Sequence, residues 1–137
     1  MRIKYGAKEI GYMSVFEGTT GAKAIDCIVI KDMAFFVVKS EEVSKAIGKG
    51  GENIHLLERL LRKRVKVAPL YDDVARFIKG LVSPLKIAQF RMEGNIAVIT
   101  PPDLKTRGFL IGRAATNLRM LEAVVKRHFK IEEIKVE

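Results

Sequence analysis

Apolar positions along the chain keep switching between two spacings. Ile10, Met13 and Phe16 stand three apart within Ala7 to Glu17, which is the spacing of one face of a helix. The runs Ala24 to Ile30 and Ala34 to Val38 are short and β-rich, with Lys31-Asp32 between them, and predict a hairpin. Ile54, Leu57 and Leu61 fall at i, i+3 and i+7, the core face of a helix of about three turns. Val65-Lys66-Val67 then alternates as a strand start does. From Asp72 the series begins again. Val74, Phe77 and Ile78 predict a helix over 72–81, Ile87 to Met92 and Ile96 to Thr100 flank the turn Glu93-Gly94-Asn95, and Leu118, Leu121 and Val125 give a second core-facing helix. Phe129-Lys130-Ile131 closes the series as a predicted strand start. The order helix, strand, strand, helix, helix, strand is written twice, so the predicted fold class is α+β.

The two halves are copies of one unit. Residues 47–67 recur at 111–131 with a constant offset of 64: Ile47, Gly48 and Lys49 match Ile111, Gly112 and Arg113, Asn53 and Ile54 match Asn117 and Leu118, and Lys63 matches Arg127. A boundary is expected near Ala68-Pro69-Leu70-Tyr71-Asp72-Asp73, where a proline follows the last strand and acids open the next helix. This gives one domain over 1–70 and another over 71–137, joined by too few residues for a flexible tether.

Between the two helices of the first unit lies Ile47-Gly48-Lys49-Gly50-Gly51-Glu52-Asn53-Ile54. A turn without Cβ atoms at Gly48 and Gly51 lets a nucleic-acid backbone lie against the protein. The start of the following helix favours phosphate, and Lys49 adds a cation. The segment resembles the KH signature, and the unit order resembles the type II KH topology, in which the hairpin precedes the helix-loop-helix. The resemblance implies two tandem type II KH domains, each a three-stranded sheet packed with helices. It implies a loop that clamps about four nucleotides of single-stranded RNA. Phosphates would lie near Gly48, Lys49, Gly50 and Gly51, and bases beside Ile47 and Ile54, with Lys45 and Asn53 as neighbours. Asn53 and Asn117 also stand where a side chain caps locally, which is the expected role for both. The second loop, Gly112-Arg113-Ala114-Ala115, departs from the signature: a methyl group replaces the hydrogen of Gly51, while Arg113 keeps a phosphate-seeking charge.

Two such units with little else resemble the archaeal NusA family of transcription elongation and termination factors. That resemblance implies the nascent transcript and RNA polymerase as partners and a role in pausing or termination. Tandem KH modules also serve ribosome assembly and RNA decay, and co-purification with polymerase subunits or ribosomal particles separates these roles.

Charge points the same way without the resemblance. The 137 residues carry 25 Lys and Arg against 16 Asp and Glu, a net charge of +9, which favours a polyanionic partner. Residues 45–66 hold seven basic and two acidic side chains and residues 105–130 seven and one, so the positive charge gathers on the two helix-loop-helix segments. No apolar run approaches the ~18 residues of a spanning helix, and Met1-Arg2-Ile3-Lys4-Tyr5 lacks a signal-peptide core. A cytoplasmic protein with no membrane partner is expected. A single cysteine, Cys27, excludes an intrachain disulfide and is expected to be inert core, and His55 and His128 complete no zinc spacing, so neither metal nor cofactor is expected.

A helix-turn-helix reading duplex DNA is the rival fold, but helix bundles of that kind lack the strand pairs found here. A phosphate-loop enzyme is the rival function. Gly48-Lys49-Gly50-Gly51-Glu52 lacks the Gly-Lys-Ser/Thr of a P-loop, and no nucleophile-base set stands out, so neither catalysis nor a small-molecule substrate is expected.

Overall fold

Helix α1 (Ala7–Thr20) opens the chain in the computed structural model, which describes residues 6–137. Residues 1–5, where the absence of a signal peptide was read, lie outside the described residues. From Tyr12 onward α1 meets the core, with Tyr12 and Met13 packed against it. Phe16 is fully buried and stacks on Phe36 at 4.4 Å between ring centres, whereas Ile10, expected on the core face, is exposed. An i, i+3, i+6 series marks a face but not how far along it the sheet extends.

The chain divides into two units, Met1–Asp72 and Asp73–Glu137. In the first, β1 (Asp26–Ile30) and β2 (Met33–Lys39) pair antiparallel around Lys31-Asp32, and β3 (Arg64–Leu70) lies parallel to β2 with Met33 opposite Arg64. The strand order is β1-β2-β3. Between β2 and β3 the chain forms a 3-10 turn (Ser40–Glu42), α2 (Val43–Ile47), a second 3-10 turn (Lys49–Gly51) and α3 (Glu52–Leu61). Leu57 is fully buried against Phe36, Val65 and Val67, with Ile47, Ile54 and Leu61 packed around that cluster. Cys27 is buried in β1. Pro69, read from sequence as part of a linker, lies within β3 opposite Val38. An edge strand tolerates proline because its outward side needs no donor.

The second unit repeats the plan. Asp73 caps α4 (Val74–Val82) by accepting the Ala75 amide at 2.8 Å, and Phe77, Ile78 and Leu81 are buried. β4 (Gln89–Glu93) and β5 (Ile96–Thr100) form the hairpin, α5 (Leu104–Ile111) and α6 (Thr116–Lys126) follow, and β6 (Glu133–Val136) runs parallel to β5 in the order β4-β5-β6. Class and element order agree with the sequence reading, but the last strand does not. Met33 pairs with Arg64 and Ile96 with Glu133, so Leu61 and Arg64 are 3 positions apart and Val125 and Glu133 are 8; the second connection is 5 residues longer. Phe129-Lys130-Ile131 therefore precedes the strand. Phe129 packs on Phe77 at 5.5 Å and Ile131 is buried.

One carboxylate holds each final strand to its helix. Glu58 Oε2 accepts the Val65 amide at 3.0 Å, and Glu122, at the same offset of 64, accepts the Ile134 amide at 2.7 Å. In the sequence only the offset of 64 marks this pair.

Candidate nucleic-acid interface

Between α2 and α3 the backbone turns through three glycines with positive φ: Gly48 (φ 78°, ψ 169°), Gly50 (φ 61°) and Gly51 (φ 76°). The conformation of Gly48 is essentially restricted to glycine. A Cβ there would also stand 2.9 Å from Cγ and Nδ2 of Asn53. Asn53 occupies that space because its Nδ2 donates to the Lys45 carbonyl at 3.0 Å, tying the first turn of α3 to the end of α2. Gly48 is thus a glycine for internal reasons, whereas Gly50 and Gly51 border open space: a Cβ at Gly50 would meet nothing within 4 Å, and one at Gly51 only His55 Cε1 at 3.9 Å. No side chain caps the start of α3 at Gly51. The first amides of a helix need acceptors, so bare backbone, a helix start and the exposed Lys49 together suit a phosphate.

The second loop has the same shape without the same residues. Gly112 (φ 74°, ψ 175°) matches Gly48, while Ala114 (φ 54°) and Ala115 (φ 59°) hold the left-handed conformation of Gly50 and Gly51. Asn117 Nδ2 donates to the Phe109 carbonyl at 2.9 Å, and a Cβ at Gly112 would lie 2.7 Å from that amide. Amide-to-carbonyl bonds from Gly51 to Gly48 and from Ala115 to Gly112 are both 3.2 Å. Alanine in place of glycine gives the loop a different surface on the same path. Two alanines in this region cost on the order of 1–2 kcal/mol each. Ala115→Gly is accordingly expected to raise stability by about 1 kcal/mol after the entropic cost of glycine, measured by urea denaturation. A loss of stability would mean that the methyl group packs.

Of the residues expected from the sequence, Lys45, Lys49 and Gly50 are exposed at the first loop, Gly48 and Gly51 are half-buried within it, and Ile47 and Ile54 are half-buried beside it. Arg113 and Ala114 are exposed, and Ala115 and Gly112 half-buried, at the second. Asn53 serves the loop from within, as its capping role predicts. The wider cluster of cations is dispersed. Arg59, Arg62, Lys63 and Arg64 begin about 10 Å along α3 from its loop end, at 1.5 Å per residue. Lys63 Nζ donates to the Lys31 carbonyl at 2.7 Å, and Lys66 is partly buried, which lowers the pKa of its ammonium group. Arg119 pairs with Glu122 at 2.6 Å. Lys63 and Arg119 therefore serve the fold as well as the charge of these segments. Among the described residues no group of three or more His, Cys, Asp or Glu is placed to hold a metal, and no helix is long and apolar enough to cross a membrane.

The KH domain family model matches residues 10–70. The chain is 29% identical over 138 residues to the probable transcription termination protein NusA of Methanocaldococcus jannaschii, covering 98% of this chain and 75% of that protein. It is 28% identical to the protein of the same description from Halococcus morrhuae, covering 99% of each. Among solved structures, the crystal structure of APE1850 superposes with a TM-score of 0.77 at 29% identity, covering 97% of this chain and 100% of that one.

Proposed function

We propose that this chain, similar over nearly its whole length to archaeal NusA proteins and matched by the KH model over residues 10–70, is an archaeal NusA-like KH protein that binds single-stranded RNA at its glycine loop and acts in transcription elongation, pausing or termination. The observation that carries the site is the bare backbone of Gly50 and Gly51 between Lys49 and the uncapped start of α3. Phosphates lie along Gly48 to Gly51 and bases beside Ile47 and Ile54, with Lys45 adjacent. The protein works by binding, not catalysis, and its partners are the nascent transcript and RNA polymerase. The second unit lies beyond the residues matched by the KH model. We read it as a divergent KH module because its sheet order, loop angles and asparagine tie repeat those of the first.

Competition binding tests this reading. Single-stranded RNA is expected to be preferred over duplex DNA, because the loop clamps an unpaired backbone rather than entering a groove. With about four phosphates held, log affinity should fall by about three units per tenfold rise in salt, at about 0.7 per phosphate. Displacement of the RNA by an equal concentration of duplex DNA, or a flat salt response, would overturn the clamp.

A further inference from the structure

The asparagine ties put two positions in register. Asn53 holds the carbonyl of Lys45, and Asn117 that of Phe109. The residue three before the first loop glycine is an exposed cation; its counterpart before the second is a phenylalanine with 54% of its surface in water. Core packing does not account for this ring, which forgoes much of the roughly 1.5–3 kcal/mol that full burial of such a side chain gives. Nor does the helix around it favour its own stability. Leu104 is 85% exposed, and Gly108 has nothing within 4 Å of where a Cβ would stand, although a helix-interior glycine costs about 1 kcal/mol relative to alanine. Packing does not require that glycine. Its effect is to leave flat, open surface beside Phe109.

The charge around the ring has one sign. Lys105 and Arg107 are exposed on α5 and Arg113 in the loop, and no acidic residue occurs from 104 to 121. Lys105 lies one turn before Phe109 and Gly112 one turn after it, spacings that share a helix face. An open aromatic ring among cations, next to a loop shaped like the first, matches what a single-stranded nucleic acid offers: a base with a π-face, flanked by phosphates.

We propose that Phe109 is a base-stacking residue of the second loop. A nucleobase of single-stranded RNA lies on its ring while Lys105 and Arg113 hold the neighbouring phosphates. The inference rests on the RNA-binding reading above and gives the two loops different chemistry: charge from Lys45 at the first, stacking at the second. Every base has a face to stack, so the second loop tolerates more sequences than the first.

The chain contains no tryptophan, so Phe109→Trp places a single such fluorophore at the site. A single-stranded RNA of six nucleotides is expected to quench it, and an abasic ribose-phosphate strand of the same length is not. Phe109→Ala, at an exposed position whose loss leaves the circular dichroism spectrum unchanged, should weaken RNA binding about tenfold, while Phe109→Tyr stays within about twofold of the natural chain. Equal quenching by the abasic strand would overturn the proposal, since charge alone then suffices. So would natural affinity in Phe109→Ala, which would assign the Leu104 and Phe109 surface to a protein partner. Failure of the natural chain to bind RNA at all is a different result and removes the underlying reading instead.

Discussion

Gly51→Asp should lower the affinity for single-stranded RNA at least tenfold, about 1.4 kcal/mol, in a protein that remains folded. The Cβ at this position points into open space, with His55 Cε1 at 3.9 Å as its nearest neighbour, so the new side chain starts clear of packed atoms. The backbone there is left-handed, at φ 76°. Aspartate is among the residues that visit this region, and Ala115 shows that the same turn holds with a side chain in place. The aspartate acts twice against RNA. Its charge repels the phosphate, and from the N-cap position it accepts hydrogen bonds from the α3 amides that a phosphate would use. The variant therefore keeps its helix while losing its ligand. Fluorescence anisotropy with labelled RNA measures the affinity, and circular dichroism checks the fold. A folded variant with natural affinity would move the site off this loop. Arg113→Glu should cost less, because the methyl groups of Ala114 and Ala115 already hinder close approach at the second loop.

Glu122→Ala is expected to destabilise the second unit by about 2–4 kcal/mol. Glu122 is only 6% exposed; it accepts the Ile134 amide at 2.7 Å and pairs with Arg119 at 2.6 Å. Truncation leaves a buried amide at the start of β6 without its acceptor and opens a cavity where the side chain lay. Arg119, which is largely solvated, loses little by release. Glu122→Gln retains an oxygen acceptor for Ile134 and should recover much of the loss, which separates the hydrogen bond from the charge. Glu58→Ala, removing a longer and less buried bond to Val65, should cost less than Glu122→Ala. Urea denaturation measures all three. A change below about 1 kcal/mol for Glu122→Ala would show that strand pairing alone holds β6 in place.

Much of the fold could be read in the sequence because the signals concerned are local. The i, i+3, i+7 spacing of Ile54, Leu57 and Leu61 needs only the helical period to declare a buried face, and Leu57 is fully buried. The hairpins follow from apolar runs separated by two or three turn residues. Two copies reinforced each other, and the glycines of the loop stood out because few other residues adopt positive φ. By itself the sequence determined the element order, the repeat, the place of both loops and the excess of positive charge around them.

What it did not decide depends on which surfaces meet. Gly48 reads as bare backbone for a ligand, yet it is occupied from within by Asn53, a contact set by how α3 crosses the end of α2. Ile10 fits the helical period but lies beyond the part of α1 that meets the core. Phe129-Lys130-Ile131 alternates as a strand does, yet a connection five residues longer than its counterpart places it before β6, against Phe77. Lys63 and Arg119 count as free charge in a sequence sum, whereas folding gives them a carbonyl and a carboxylate as partners. Periodicity is a property of one segment. Packing, register and the pairing of charges belong to two segments at once, and only the tertiary structure brings those together.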